Sequence, residues 1–377
     1  MSLTARPLRR RSLARLAAAT ALAAVPAGFP GVVRAQRPPP AVLARGLNIT
    51  NWFRFPAQAT PAGLRAYMPD AAMREIAAAG FTFIRLCIQP QILLREDGSL
   101  EPGRLGAVLD GIERLQRAGL AVIVDAHPET WRPEQRPSEG RALIDFWKGM
   151  APHLAAFDPE RCFVEVMNEP IFDDHRAWAT LQLEALRHIR AVLPRHMVVL
   201  TGADWGSIAG LLRLPPVDDP NVVYSVHDYT PGILSHMATW ENGHDRQALA
   251  RLPFPVGSAA ACAADTRRHP NERTRALAAF YCSEGWNEEK VRQHLGQAAA
   301  WGARHAAPVL LLEFGAHAEV NAPARNAYIA ATRRAAEHHR MGWALWGYGD
   351  IMGFPASSGP APARLDRDLI AALGLRG

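Results

Sequence analysis

The chain is 377 residues long, 49% hydrophobic and 21% charged, which is apolar material enough for one large core. Its formal charge of +6 resides in the first 35 residues, which hold six arginines and no acid; the remainder balances 36 basic against 36 acidic side chains. Such neutrality argues against nucleic acid or an anionic lipid surface as partner, because both select surplus Lys and Arg.

Residues 1–35 read as a targeting segment. Leu8-Arg-Arg-Arg-Ser-Leu-Ala-Arg15 precedes an Ala/Leu/Val run ending at Val25, and Val33-Arg34-Ala35 offers a small-residue cleavage site. The paired arginines followed by Ser12 and Leu13 predict the twin-arginine export route, hence a periplasmic or extracellular protein. The apolar run is too short and too rich in alanine for a membrane anchor, and no lipid-accepting Cys lies near the cleavage site. Residues 36–377 are expected to form a single domain and a monomer.

After a Pro-rich lead (Arg37-Pro38-Pro39-Pro40) an alternation begins. Strand-like runs cover residues 43–49, 81–88, 120–126, 162–168, 197–203, 221–227, 308–313 and 342–347. Helical patterns cover 70–79, 104–118, 138–156, 175–192, 286–305 and 322–339, with Asp366 as the N-cap of a last helix at 367–373. Runs such as Ala121-Val-Ile-Val124 are apolar on both faces, as parallel strands covered by helices must be. Eight strands alternating with helices predict a (β/α)8 TIM barrel. The fifth crossover is thin, with only Ile208–Leu212 looking helical, and a loop of nearly 60 residues from Tyr229 to Trp286 follows the sixth strand. That loop is expected to lie over the active-site face.

Cys87 and Cys162 sit inside strands and read as buried apolar residues, whereas Cys262 and Cys282 flank the strandless segment and are expected to form a disulfide. Neither C-x-x-C nor H-E-x-x-H occurs, so neither a metal nor another cofactor is expected.

In such a barrel the carboxyl ends of the strands carry the chemistry. Those ends supply Arg85, Asp125-Ala-His127, Asn168-Glu169, His227-Asp-Tyr229, Glu313 and Trp346. Two glutamates on one rim suit glycoside hydrolysis: one carboxyl protonates the leaving oxygen, while the other attacks the anomeric carbon or activates water there. Mutual repulsion keeps one of them protonated near neutral pH. Glu165 points to the same side as Glu169 and competes with it; it is expected lower in the barrel, in a structural role.

The set Arg85, His127, Asn168, Glu169, His227, Tyr229, Glu313 and Trp346, in that order, resembles family 5 of the glycoside hydrolases, which includes many endoglucanases and mannanases. The resemblance runs from Arg45-Gly-Leu-Asn48 to Trp346. It implies the (β/α)8 fold, a retaining double displacement, Glu169 as acid/base and Glu313 as nucleophile. Under it, Asn168 would hold the sugar 2-hydroxyl and Arg85 and Tyr229 would keep Glu313 ionised. His127 and His227 would bind hydroxyls or orient Glu169, and Trp346 would offer a flat face to a pyranose. The chain departs from the family pattern at Leu312, where Gly often precedes the nucleophile, and at Ala126, where a larger apolar residue is common. Trp52, Trp131 and Trp205 stand as possible stacking subsites, and Trp240 and Trp286 also fall in predicted loops. The reading is a secreted β-glycosidase acting on a β-linked oligo- or polysaccharide, foremost an endo-β-1,4-glucanase. A β-mannanase, a β-1,3-glucan hydrolase and a catalytically silent carbohydrate-binding protein are the alternatives.

Overall fold

The computed structural model describes residues 38–239, 241–355 and 363–376, so the leader and Trp240 lie outside the described residues. Eight strands, β1 (Arg45–Phe53), β2 (Phe83–Ile88), β3 (Ala121–Ala126), β4 (Cys162–Glu165), β5 (Val198–Thr201), β6 (Val222–His227), β7 (Val309–Phe314) and β8 (Gly342–Tyr348), pair in parallel in chain order. The barrel closes where β8 meets β1, with Gly46 opposite Ala344. This is the predicted TIM barrel.

The helices form where the sequence supplies both a start signal and an apolar face. Asn287 and Asn321 accept hydrogen bonds from Lys290 N and Ala324 N, capping helices Glu288–His305 and Ala322–His338. Asp174 caps His175–Val192 in the same way, and Pro102 and Pro137 open the helices Pro102–Arg117 and Pro137–Leu154. Trp147 and Trp178 reach inward from two of these helices and donate to the carbonyls of Val166 and Thr201, at 2.8 and 2.7 Å. Those contacts pin the helices against the rim ends of β4 and β5.

Inside the barrel, side chains two residues apart share a face. The lower layer is apolar: Phe83, Ile123, Phe163, Val199, Val223, Leu310 and Leu312 cluster there, fully buried. Gly46 is required in that layer, because a Cβ on it would fall 2.2 Å from the Phe83 ring. Two residues further along the strands the interior turns polar, with Arg85 after Phe83, Asp125 after Ile123 and Glu165 after Phe163.

Several boundaries differ from expectation. β1 starts at Arg45 and runs on to Phe53, so residues expected in a loop are strand. β4 ends at Glu165, and Asn168 N bonds instead to Ala126 O at 2.8 Å. Helices at Pro61–Ala66 and Pro90–Leu93 lack a long apolar stripe and escape periodicity. The segment after β6 is no bare loop: it contains the helix Glu272–Glu284 and shorter turns at Gly232–Ser235, Arg246–Leu249 and Ala259–Cys262. Its buried residues Thr274, Ala278, Tyr281 and Cys282 include too few large apolar side chains for a visible pattern. Cys262 is disulfide-bonded to Cys282, while Cys87 and Cys162 are buried thiols. Among the described residues, no helix is long and apolar enough to cross a membrane.

Candidate active site

Arg85 organises the polar layer. Its Nε and Nη2 donate to Glu165 at 2.6 and 2.9 Å, its Nη1 to Glu313 Oε1 at 2.6 Å and to Asn48 Oδ1 at 3.0 Å, and its Nη2 to Asn168 Oδ1 at 2.8 Å. Asp125 Oδ2 lies 3.0 Å from the same Nη2. One buried guanidinium thus faces three carboxyls. Three full negative charges could not be buried against one positive charge. Burial, opposed by Arg85, pushes the Asp125 carboxyl up to about 7. Glu165 is also raised, first by burial, but both its oxygens are held. Glu165 therefore sits where expected, beneath the rim and in a supporting contact. Asn48, whose side chain donates to Leu312 O and Leu345 O at 2.9 and 3.1 Å, ties β1 to β7 and β8 at this level.

Above the layer, the backbone turns sharply at Glu169, where φ is +40°. A non-glycine residue in the left-handed region costs about 1–3 kcal/mol, a strain found mostly at functional sites. The turn aims the Glu169 carboxyl toward Glu313. One oxygen of each carboxyl and one ring nitrogen of His227 lie within 4.8 Å of one another. His227 Nδ1 is 3.1 Å from Glu169 Oε1 and 3.5 Å from Glu313 Oε2, and Tyr229 Oη donates to Glu313 Oε2 at 2.8 Å.

The two carboxyls are electrostatically unlike. Burial would raise Glu313, but His227, Arg85 and the Tyr229 hydroxyl outweigh it and hold the group well below the usual carboxylate range. Burial and the nearby charge of Glu313 push Glu169 up, only partly offset by His227. His227 itself is raised, because the carboxylates at its Nδ1 overcome its burial. The opposite shifts put proton affinity on the Glu169–His227 side of the pair and away from Glu313. An ionised carboxylate facing a protonated donor can attack one face of an acetal carbon while its leaving oxygen is protonated from the other.

The walls divide the tryptophans. Trp205 is 53% exposed and sits beside Glu169 in a cleft of about 610 Å³ that also reaches Asp228, His236 and His294. Asp204, Trp205 and Gly206 are successive left-handed residues, with φ of +64°, +59° and +66°. Such a run is costly for side-chain-bearing residues and presents the indole to solvent. Trp346 is only 5% exposed, stacked with His127 at 5.6 Å between ring centroids and approached by the Arg54 guanidinium at 4.9 Å, so its face is narrower than expected. Trp52 is not a subsite: it is fully buried within β1, donates to Leu64 O at 2.6 Å and stacks with Phe53 and Tyr67. Trp131 packs into the larger hydrophobic cluster and is no more exposed than Trp346. Trp286 is buried beneath Lys290.

Against this geometry, the family model for cellulase (glycosyl hydrolase family 5) matches residues 44–350, the whole barrel. The chain belongs to glycosyl hydrolase family 5. Endoglucanase 3 of Fibrobacter succinogenes is 24% identical over 332 residues, covering 81% of this chain and 49% of that protein. The chain thus spans about half the length of that relative. The solved structure of Thermotoga maritima Cel5A with cellobiose superposes with a TM-score of 0.70 at 21% identity, covering 89% of this chain and 98% of the other. The cellulose synthase subunit Z of Clostridioides difficile superposes with a TM-score of 0.70 at 18% identity, covering 88% and 99%.

Within this family 5 chain, sequence reasoning gave Asp125 and Asp228 a place at strand ends but no partner, and it passed over Arg54 and Glu129. Asp125 holds His127, Oδ2 to Nδ1 at 2.7 Å. Arg54 pairs with Glu129, and Asp228 Oδ1 lies 3.1 Å from His294 Nε2. Asp125 shares a face with Ile123 and His127, and that alternation was the one signal that could have exposed it.

Proposed function

We propose that this family 5 chain is a retaining β-glycosidase that cleaves the backbone of a β-linked glucan, as an endo-β-1,4-glucanase. The close pairing of Glu169 and Glu313, one raised and one lowered, carries the reading. Oxygens within 4.8 Å suit carboxyls about 5–5.5 Å apart, as in retaining sites, rather than the roughly 6.5–9.5 Å that admits an intervening water. In this mechanism Glu313 attacks the anomeric carbon as Glu169 gives its proton to the departing oxygen. Glu169 then removes a proton from water, which displaces Glu313 with net retention. The Arg85–Asn168 bond leaves the Asn168 amide NH2 free to donate to the sugar 2-hydroxyl.

Endo action rests on the rim. Exposed aromatic groups follow β1 (Phe55, 51%) and β5 (Trp205, 53%), which are opposite strands of an eight-stranded ring. Aromatic groups on opposite sides of the rim would suit a glucan chain laid across it. Export is part of the proposal: a Cys262–Cys282 bridge persists outside the cytosol, in keeping with the arginine-rich leader.

The test is reducing-end release by the purified protein from carboxymethylcellulose, mixed-linkage β-glucan, mannan and β-1,3-glucan. Cleavage of the first two with a rapid fall in viscosity is expected. Preference for mannan would move the substrate, and no cleavage of any β-glycan would overturn the reading.

A further inference from the structure

The loop that follows β3 brings a carboxylate beside His127 that neither the charge framework nor the acid chemistry uses. Glu129 is gripped through both its oxygens by Arg54, the residue just after β1, with Arg54 Nη2 donating to Oε2 at 3.2 Å. The guanidinium is braced in turn by two rings, 4.5 Å from the centroid of Phe55 and 4.9 Å from that of Trp346. Glu129 Oε1 lies 3.7 Å from His127 Nε2, beyond hydrogen-bonding distance.

The protonation of His127 follows from its other side. Asp125 Oδ2 is 2.7 Å from Nδ1 and lies 3.0 Å from the positive Arg85 Nη2, which favours an oxygen that accepts. The proton of a neutral His127 therefore sits on Nδ1, and Nε2 is an acceptor. His127 is kept neutral, because burial first, then Arg54 and Arg85, push its pKa well down. Two acceptors side by side, Nε2 and Oε1, beside the Trp346 ring, can be satisfied together only by two separate hydrogen donors. Neighbouring hydroxyls on one pyranose supply that pattern.

We infer that Glu129, pinned by Arg54 beside His127, is a specificity-determining substrate-binding residue that accepts a hydrogen bond from one of two neighbouring hydroxyls of the sugar ring undergoing substitution. This rests on the glycosidase reading of the same site. The bland alternative is a rim ion pair, worth about 0–1 kcal/mol and silent in catalysis. An ion pair of that kind has no reason to stand next to an unfilled imidazole acceptor.

The experiment compares the full protein and its Glu129→Gln variant on 2,4-dinitrophenyl β-cellobioside and on analogues lacking one hydroxyl of the reacting ring. A lost charged hydrogen bond should lower the variant's kcat/KM on the parent substrate about 10- to 100-fold. For the hydroxyl that Glu129 reads, deoxygenation should cost the wild type a comparable factor and the variant little more, the non-additivity of groups in contact. Losses that multiply at every position, or a variant as active as wild type on the parent, would overturn the inference. Should Glu129→Gln fail to fold, Arg54→Gln carries the test: it keeps the carboxylate but frees it, and a raised KM is expected, with unchanged kinetics overturning the proposal. A wild type inert on every aryl β-glycoside sinks the hydrolase reading itself, and this inference with it.

Discussion

Arg85 and Glu165 meet beneath the rim as a two-pronged ion pair, 2.6 Å from Nε to Oε2 and 2.9 Å from Nη2 to Oε1, whereas Arg85 reaches Glu313 with a single bond. The arginine is thus gripped from beneath the rim by Glu165, while its Nη1 reaches Glu313, the proposed nucleophile. Glu165→Leu would leave Arg85 short of one buried partner, a change that typically costs about 3–5 kcal/mol. Asp125 and Glu313 remain beside the guanidinium, so the low end of that range is expected. Thermal unfolding and kcat should both fall. A Glu165→Leu protein as stable and as active as wild type would show that Glu165 is not what holds Arg85 in place.

Removing the proton donor tests the division of labour. Glu169→Ala should slow cleavage of substrates with poor leaving groups by about 10²–10⁴-fold, the usual contribution of general acid catalysis. Aryl glycosides with good leaving groups should lose less in the first step, and azide should restore turnover as a β-glycosyl azide. Equal losses on both classes without rescue would point to another acid.

The stereochemical outcome is tied to Glu313. A 2-deoxy-2-fluoro glycoside with a good leaving group should become covalently attached to Glu313, identified by peptide mass, and early product should be the β-anomer by proton NMR. An α-anomer would mean inversion, and label on Glu165 would mean that the wrong carboxylate has been assigned.

The pH profile follows from the two opposite shifts. Glu169 must be protonated to act and its pKa is raised, so activity should decline as pH rises through that value. Glu313 must be ionised and its pKa is lowered, so the acid limb should lie well below the ordinary carboxylate range. The lowered value of Glu313 also stabilises the fold above the ordinary carboxylate range, a contribution lost as pH falls through its own pKa. In Glu313→Gln the neighbouring charge is gone, and Glu169 should release its proton at lower pH, read by carbon-13 NMR of labelled glutamate. An unmoved titration would leave burial as the whole cause.

Trp205 offers a test in which activity and stability part. Trp205→Gly removes the indole but suits a φ of +59°, so cleavage of polymer should weaken by about 1–3 kcal/mol of lost contact, with no loss of thermal stability. A fall in stability with unchanged polymer cleavage would assign the indole to packing instead.

The bridge between Cys262 and Cys282 closes a ring of 21 residues, spanning a sequence separation of 20. Such a ring is worth about 3 kcal/mol in the chain-entropy account. Cys262→Ser should lower thermal stability while leaving a measurable rate, and the unfolded, unreduced protein should titrate two thiols, Cys87 and Cys162. A count of four would exclude the bridge.

Period and strand-end chemistry by themselves determined the barrel and the rim set from Arg85 to Trp346. Strands covered on both faces leave continuous apolar runs, and a polar residue ending such a run is conspicuous. Spacing also put Glu165 lower in the barrel than Glu169, although β4 ends at Glu165 and a left-handed turn, not strand alternation, sets Glu169. What the sequence left open depends on contacts between distant segments. Trp52 reads as a loop residue until β1 is seen to continue to Phe53 and bury it. Trp205, one of three possible subsites in the sequence, is set apart from the other two by its exposure on a left-handed stretch of backbone, which no composition encodes. Asp125, Arg54 and Glu129 become informative when β1, β2 and β3 bring them to His127 and Arg85, because a charge is defined by its neighbours and those neighbours are set by tertiary packing alone. The unlike protonation of Glu169 and Glu313 has the same origin: the two side chains are chemically identical, and only burial, His227 and Arg85 separate them.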